Sequence, residues 1–307
     1  MTLTELRYIV AVSRTRHFAN AAATCFVSQP TLSVAIKKLE EELGVTIFER
    51  HQHEVKVTPI GERIIEQAIA VLEQANTVKL IAEEGKDELH GALRLGVIYT
   101  IGPFLLPGFI SLLNEQAPEL TLLIDEDFTI NLAEKLTAGE LDLVILSEPF
   151  KQAGIDTRFL YSEPFVVVLP QGHPLTAKKS IRAADLINDT LLLLKSGNCF
   201  RDQVMDACPA CKSDTFSKST IQKTLEGSSI DTIRQMVAAG SGVTVIPSTA
   251  VNSYDNFSGL VQYRPFIRPV PKRDIVLAHR NSYPRKKLVT LISKLIRQCD
   301  LPVVTRR

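Results

Sequence analysis

Apolar residues recur at helical spacing in the first part of the chain and predict a group of short helices. A capping-box pattern at Thr2 and Glu5 marks the start of the first helix. Ser28 suits the N-cap of a later helix, and Pro30 suits its first turn. Helices joined in this way by a tight turn are typical of a helix-turn-helix. One face of the later helix is apolar and predicted to be buried: Leu32, Ile36, Leu39 and Leu43.

The opposite face of this helix is polar near its N-terminus, the end that base edges in a major groove would meet. Two alternating stretches, 45–50 and 55–58, follow it and predict a β-wing with its tip at 51–54. An ordinary solvated helix face is the alternative, but the adjacent wing favours DNA binding. The predicted DNA contacts are Gln29, Pro30, Thr31, Ser33, Lys37 and Arg50, the last of them to a phosphate.

A longer helix is predicted to follow the wing, with Thr58 as its cap and Pro59 at its first position. An apolar seam on a helix with no domain to lie against predicts pairing with a second copy. Two copies would present two reading helices to a two-fold symmetric DNA site. The seam has heptad spacing and consists of Ile64, Ala68, Val71, Ala75, Val78 and Ala82.

From Gly91 onward, strands alternate with helices, which is typical of an α/β domain with a parallel sheet. A second set of elements begins near Phe165. The last strand, 275–278, and the last helix, 285–298, are predicted to return to the first lobe. The chain therefore predicts a two-lobed α/β domain behind the helix-turn-helix.

Two threonines, Thr100 and Thr129, follow the first and second strands of this domain. Ligands in open α/β sheets bind beyond the carboxyl ends of strands, so both side chains are predicted to face one crevice. The alternative for each threonine is that it is an ordinary turn residue without a role in ligand binding.

Composition narrows the range of functions. The 307 residues, 45% of them hydrophobic, suffice for more than one core, and a net charge of +1 does not exclude nucleic-acid binding, which needs one basic face. The N-terminus lacks the pattern of a signal peptide, and no apolar run approaches the roughly 18 residues of a membrane span. We therefore expect a cytoplasmic protein, in which a disulfide among its five cysteines would be transient and functional.

Cys199 and Cys208 carry the sharpest chemical signal. Cys199 is predicted to begin a helix, whose dipole and unpaired N–H groups favour a thiolate, with Arg201 and Arg273 as further sources of positive charge. Nine residues of helix span about 13 Å, whereas the Cα atoms of a disulfide lie at most about 7 Å apart. A bond between the two sulfurs therefore requires the helix to unwind. The alternative is that both are small, buried apolar side chains.

Two ordered stretches, 18–33 and 39–45, resemble the LysR-type transcriptional regulators; the first contains Cys25-Phe26-Val27-Ser28-Gln29-Pro30-Thr31-Leu32-Ser33. The resemblance implies a two-lobed effector domain like the periplasmic binding proteins and a dimer or dimer of dimers. The predicted segments are an all-α winged helix-turn-helix at 1–58, a linker and dimerisation helix at 59–90, and an α/β effector domain at 91–307. Its lobe I is predicted at 91–163 and 268–307, and its lobe II at 164–267.

The segment 197–208 closely resembles the peroxide-sensing OxyR branch of this family, whose signature is Gly-His-Cys-x-Arg-Asp-Gln with a second cysteine at this spacing. The resemblance implies that peroxide oxidises Cys199 to a sulfenic acid, with which Cys208 then condenses. It also implies a peroxide pocket formed by Thr100, Thr129, Asn198 and Arg273.

Two features depart from that branch. Asn198 stands where the branch usually has histidine, and asparagine cannot accept a proton near neutral pH. Cys211 forms a Cys-x-x-Cys pair with Cys208. This pair leaves open a competing disulfide, resolution by Cys211, or half of a zinc site. Cys25 and Cys299 are predicted to be structural.

The predicted function is a hydrogen-peroxide-sensing regulator of oxidative-stress genes, not an enzyme, with no cofactor or metal. Its predicted partners are double-stranded DNA, further copies of the chain, RNA polymerase and a cellular dithiol reductant. A LysR-type regulator that binds a small metabolite in the crevice is the main alternative. A thiol oxidoreductase acting through Cys208 and Cys211 is another, although the thioredoxin βαβ context is missing.

Overall fold

The computed structural model describes residues 1–50, 55–84, 89–208, 226–251, 259–302 and 304–306. The chain forms two compact units. The first consists of Met1–Lys86 with Thr137–Glu140, and the second of Asp87–Leu136 with Leu141–Arg307. No helix in these described ranges is long and apolar enough to cross a membrane.

The first unit begins with three helices around one apolar core. The predicted capping box is present: Glu5 N donates a hydrogen bond of 3.2 Å to Thr2 Oγ1, and Thr2 N donates one of 2.7 Å to the Glu5 carboxylate. Gly44 ends the third helix in the left-handed conformation, with a φ of 68°. The helices are α1 (Leu3–Thr15), α2 (Phe18–Thr24) and α3 (Gln29–Leu43).

The apolar stripe of α3 largely matches its prediction. Leu32, Ile36 and Leu39 are fully buried. The prediction for Leu43 is wrong, because this side chain is 38% exposed in the last turn of the helix. The buried part of the stripe fixes the helix in the core and leaves its polar face outward.

The predicted wing consists of β1 (Phe48–Arg50) and β2 (Val55–Val57), which pair antiparallel, and its tip lies outside the described residues. Glu40 of α3 holds the wing in place. Its carboxylate accepts hydrogen bonds from Ile47 N at 2.7 Å and from Phe48 N at 3.0 Å. The long helix α4 (Pro59–Glu84) follows directly. The sequence predicted both the wing and this helix.

The second unit is an α/β structure with one large sheet and one small sheet. The helices are α5 (Gly102–Gln116), α6 (Thr129–Thr137), α7 (Cys199–Ala207), α8 (Ile230–Ala238) and α9 (Lys286–Gln298). The strands are β3 (Gly91–Ile98), β4 (Leu120–Asp127), β5 (Leu143–Ser147), β6 (Ile155–Pro170), β7 (Leu193–Leu194), β8 (Glu226–Gly227), β9 (Thr244–Pro247), β10 (Val261–Pro265) and β11 (Lys272–Arg280).

The large sheet has the strand order β10-β6-β11-β5-β3-β4, and β9 also pairs with β6. The predicted parallel sheet is confirmed for β3, β4 and β5. It is wrong for the other strands, because β11 runs antiparallel to β5 and β6, and β9 and β10 run antiparallel to β6. Antiparallel neighbours need no helical crossover between them, so the strand-helix alternation did not reveal them.

Strand β6 extends through both halves of the second unit. Its residues 155–164 pair with β11, and its residues 165–170 pair with β9 and β10. The sequence pattern predicted only the apolar part of this strand, which begins near Phe165. The half of the unit around β9 and β10 has its own apolar core, which includes Phe200 and Cys208.

Candidate redox site and DNA-binding surface

Cys199 is the first residue of α7, as the sequence predicted. Gly197 turns the chain into the helix with a φ of 91°, a conformation that favours glycine. Asn198 is the N-cap, and its Oδ1 accepts a hydrogen bond of 3.2 Å from Phe200 N. The Cys199 side chain is half-buried. Its thiol therefore lies at a capped helix N-terminus with partial access to solvent.

Cys208 follows the last residue of the same helix. Its backbone N–H donates a hydrogen bond of 3.0 Å to Val204 O, and its side chain is fully buried in an apolar core. Because α7 has nine residues, its rise separates the two cysteine Cα atoms by about 13 Å. A disulfide tolerates at most about 7 Å. The described cysteines, which form no disulfide, are Cys25, Cys199, Cys208 and Cys299.

A small cavity lies beside Cys199. Its volume of about 10 Å³ matches the space needed by one water molecule. Thr129 Oγ1 is buried and has no hydrogen-bond partner among the described residues, so it can serve a small polar guest as donor or acceptor. The lining residues are Ile98, Tyr99, Asp127, Phe128, Thr129, Asn198 and Cys199.

The two predicted threonines have different positions. Thr129 lines the cavity, whereas Thr100 is not among its lining residues. Thr100 is buried and accepts two hydrogen bonds from Arg273: Nη1 donates to its Oγ1 at 2.8 Å and Nη2 donates to its carbonyl at 3.0 Å. Thr100 thus connects the turn after β3 to Arg273.

Arg273 forms a buried ion pair with Glu163. Its Nε donates a hydrogen bond of 2.6 Å to Glu163 Oε1, and the two side chains are 1% and 0% exposed. The other Glu163 oxygen accepts a hydrogen bond of 2.5 Å from Thr249 Oγ1. The Arg273 guanidinium carbon also lies 4.8 Å from the ring centroid of Phe200, the residue after Cys199. Arg273 therefore packs against the start of α7 with its charge balanced by Glu163.

Further hydrogen bonds hold α7 in place. Gln203 Nε2 donates to Ser147 Oγ at 2.8 Å and to Glu148 O at 2.9 Å, which connects the helix to the end of β5. Arg201, which was predicted to add positive charge to the site, donates from Nη1 to Leu194 O at 3.0 Å. These bonds exist only while α7 keeps this position.

Charged groups surround the cavity residue Asp127. Lys135 Nζ bridges Asp125 and Asp127, at 2.8 Å and 3.0 Å. Burial opposes the ionisation of Asp127, but hydrogen bonds from Asn131 and Lys135 outweigh it and lower the pKa of the carboxyl. Burial and the neighbouring carboxylates, Asp127 first among them, raise the pKa of Tyr99. The cavity is thus lined by one carboxylate, which is paired with Lys135, and by a neutral phenol.

Three residues at or near the site were not predicted from the sequence: Tyr99, Phe128 and Glu163. Tyr99 and Phe128 each precede a threonine that was selected for its position after a strand, so the same position would have marked them. Glu163 is a carboxylate within the largely apolar β6. A buried carboxylate needs a partner, and this requirement would have indicated a basic residue nearby, which the structure shows to be Arg273.

Two other cysteines, Cys25 and Cys299, are poorly suited to redox chemistry. Cys299 follows α9 in a buried position, and burial raises the pKa of its thiol to about 11. Burial likewise raises the pKa of Cys25, at the end of α2. Cys211 lies outside the described residues, so its predicted alternatives stay predictions. Within the described ranges, no group of His, Cys, Asp and Glu residues could hold a metal ion.

In the first unit, α3 presents polar residues at its N-terminal end. Ser28 caps the helix, since Thr31 N donates a hydrogen bond of 3.3 Å to Ser28 Oγ. Lys37 Nζ lies 3.7 Å from Glu41 and remains 74% exposed. Arg50 ends β1, and its side chain lies outside the described residues. The remaining predicted DNA contacts are exposed or, for Ser33, half-buried: Gln29, Pro30, Thr31 and Ser33.

A capped reading helix with a wing, a long helix after it, and an α/β unit with a cysteine-bearing helix define a transcriptional regulator. Residues 3–62 match the bacterial regulatory helix-turn-helix proteins of the lysR family. Residues 86–299 match the LysR substrate binding domain. The chain belongs to the LysR family of bacterial regulators.

Known relatives refine this assignment to the OxyR branch. The DNA-binding transcriptional dual regulator OxyR of Escherichia coli is 37% identical, with 97% of this chain and 95% of the relative covered. Full-length OxyR of Pseudomonas aeruginosa, a cysteine variant, is 48% identical with a TM-score of 0.74, covering 98% of this chain and 99% of that chain. A hydrogen-peroxide-bound OxyR mutant of Corynebacterium glutamicum is 31% identical with a TM-score of 0.64, covering 97% and 92%.

Proposed function

We propose that this OxyR-branch regulator senses hydrogen peroxide through Cys199 and transmits the signal by forming a disulfide with Cys208. One observation carries the proposal. The half-buried Cys199 borders a water-sized cavity that contains the unpartnered Thr129 hydroxyl, and Cys208 lies buried at the other end of the same nine-residue helix. Peroxide-bound and oxidised OxyR structures are among the solved relatives.

The first step is a two-electron oxidation of the sulfur. The Cys199 thiolate attacks one peroxide oxygen, the O–O bond breaks, and hydroxide leaves and is protonated to water. The sulfur is oxidised to a sulfenic acid, and the peroxide is reduced. Thr129 and Asn198 line the cavity in which this happens, and Arg273 with Thr100 supports it from the buried side of α7.

The second step joins the two cysteines. The Cys208 sulfur attacks the Cys199 sulfenic acid, and water leaves as the S–S bond forms. Because the ordered helix holds the Cα atoms about 13 Å apart, α7 must unwind and Cys208 must leave its apolar core. Oxidation therefore remodels the second unit rather than adding a crosslink to an unchanged fold.

We further propose a division of labour along the chain. Residues 1–58 bind DNA through Gln29, Pro30, Thr31, Ser33, Lys37 and Arg50. Residues 59–90 pair two copies through the later part of the seam, where Val71 is 37% and Val78 is 67% exposed. The earlier part of the seam does not fit its prediction, because Ala68 is buried in the core of the first unit and Ile64 packs against that core. Residues 91–307 sense peroxide with lobe I at 91–163 and 268–307 and lobe II at 164–267. A dimer of dimers on a two-fold symmetric promoter site is the proposed assembly.

The proposed partners follow from this role. A change in promoter binding affects transcription through contact with RNA polymerase. A cellular dithiol reductant returns the oxidised protein to its thiol form, since the disulfide must receive two electrons before another cycle. RNA polymerase acts at the promoter, and the reductant acts in the reducing cytoplasm. We therefore place the protein in the cytoplasm.

The test combines disulfide mapping with DNA footprinting on the full chain. One equivalent of hydrogen peroxide is added, thiols are blocked, and peptides are mapped by mass spectrometry, while a parallel sample is footprinted. We expect a Cys199–Cys208 linkage and a changed footprint in the parent protein and in Cys299→Ser, the matched control. Cys199→Ser should show neither.

Two results would contradict the proposal. One is a footprint of Cys199→Ser that shifts under peroxide as the parent's does. The other is a Cys208–Cys211 linkage that forms with Cys199 still reduced, which would support the alternative pairing.

A further inference from the structure

We propose that the aromatic pair Tyr99 and Phe128, in the wall of the peroxide cavity, acts as a size filter. The pair admits hydrogen peroxide and excludes organic hydroperoxides. The inference rests on the proposed function, because it concerns access to Cys199. It assigns a role in specificity to two residues for which the family matches give no role.

The two rings lie side by side in the wall of the cavity. Their centroids are 5.4 Å apart with an interplanar angle of 77°, an edge-to-face arrangement that is favourable for aromatic pairs. Both residues line the same cavity as Cys199 and Thr129. The pair therefore forms a contiguous apolar wall beside the reacting sulfur.

This wall is more exposed to solvent than the inner side of the cavity. Tyr99 is 41% exposed and Phe128 is half-buried, whereas the cavity residue Asn198 is only 7% exposed. Phe128 Cδ1 also lies 4.0 Å from the position that a Cβ atom on Gly197 would occupy. The Phe128 ring thus reaches the turn that leads into Cys199, and a guest too large for the cavity must displace the rings to reach the sulfur from this side.

The size of the cavity gives the filter its selectivity. A space of about 10 Å³ fits a guest near the size of water. Hydrogen peroxide has two heavy atoms, whereas tert-butyl hydroperoxide carries a branched alkyl group on the same O–O bond. Admitting that group would require the rings to separate and lose their contact. Both oxidants react by the same step, in which the thiolate becomes a sulfenic acid and water or tert-butanol leaves.

The test compares the rates at which the two peroxides oxidise Cys199 in the full chain, followed by alkylation of the remaining thiol and peptide mass mapping. The parent should react faster with hydrogen peroxide. Phe128→Ala should raise the rate with tert-butyl hydroperoxide about tenfold relative to the rate with hydrogen peroxide, the scale on which a pocket discriminates small alkyl groups. Tyr99→Ala provides an independent second variant that alters an exposed side chain.

Ile130→Ala is the matched control, because Ile130 belongs to α6 next to Thr129 but is 68% exposed and does not line the cavity. Its rate ratio should equal the parent's. A parent that oxidises equally fast with both peroxides, or aromatic variants that keep the parent's ratio, would overturn the size filter alone. A Cys199 that reacts with neither peroxide would instead overturn the proposed function.

Discussion

Gln203 donates a hydrogen bond of 2.8 Å to Ser147, so the middle of the cysteine-bearing helix is attached to the end of a strand in the large sheet. The same amide nitrogen also donates to Glu148 O at 2.9 Å. Unwinding of α7 must break both bonds. The reduced state is therefore stabilised at a point that lies between the two reactive cysteines.

Replacing Gln203 should make the switch easier to operate. In Gln203→Leu both hydrogen bonds are lost, and at about 1 kcal/mol each the sulfenic acid should convert to the disulfide about thirtyfold faster. Stopped-flow oxidation with trapping of the sulfenic acid measures this step. Gln235→Leu, an exposed change on α8, should leave the rate unaltered. Slower disulfide formation in Gln203→Leu would show that the amide promotes closure rather than restraining it.

Restoring the histidine of the OxyR branch at position 198 should accelerate oxidation of Cys199. Asn198 caps α7 but cannot take a proton. Histidine can also cap a helix in this protein, since His17 Nδ1 accepts from Asn20 N at 3.4 Å. Asn198→His should therefore preserve α7 and add a base whose unperturbed pKa is about 6.5.

The rate of sulfenic acid formation, followed from pH 5.5 to 8.5, checks this prediction. The histidine variant should gain a rate increase that grows as the imidazole loses its proton. Asn198→Ser is the control, because serine also caps helices and offers no base in this range. Equal rates in the histidine and serine variants at every pH would show that a base at position 198 does not accelerate the oxidation of Cys199.

The buried ion pair behind α7 should matter for stability. In Glu163→Gln, Arg273 keeps its charge without a matching carboxylate, which should lower the free energy of unfolding of the second unit by about 3–5 kcal/mol. Asp185→Asn removes the partner of Lys178 from a partly exposed pair and should cost at most about 1 kcal/mol. Urea unfolding measures both. Comparable losses in the two variants would mean that Glu163 is not the charge partner on which Arg273 depends.

Thiol alkylation as a function of pH should separate Cys299 from Cys199. Because burial raises the pKa of Cys299 to about 11, its neutral thiol persists through pH 8, and the thiolate appears only as the pH rises towards that value. Iodoacetamide should therefore label Cys299 in the folded protein far more slowly than Cys199 at pH 8. Peptide mapping measures the two rates. Rapid labelling of Cys299 at pH 8 would mean that its site is open to solvent.

The local patterns in the sequence were sufficient for much of the fold. Thr2 with Glu5, Ser28 with Pro30, and Thr58 each marked a helix start, because capping is decided by a few neighbouring residues. The antiparallel partners of β6 were missed, because pairing between distant strands leaves no local signal. The parallel strands were recognised from their alternation with helices.

The site was only partly predictable for the same reason. Cys199, Asn198 and Cys208 belong to one short segment, so their relation could be read from helix geometry. Thr129 was found from its position after a strand. The pairing of Arg273 with Glu163 joins residues 110 positions apart, and the contact of Arg273 with Phe200 depends on how β11 packs against α7. Such contacts follow from the tertiary fold.

Hydrogen–deuterium exchange of α7 before and after one equivalent of hydrogen peroxide tests the central claim most directly, with the disulfide mapped in the same sample. The account predicts slow exchange for the amides hydrogen-bonded within α7, which begin after its first turn, and loss of that protection when Cys199 becomes linked to Cys208. A Cys199–Cys208 disulfide formed with the protection of α7 unchanged would contradict it, because two sulfurs at opposite ends of an intact nine-residue helix cannot bond.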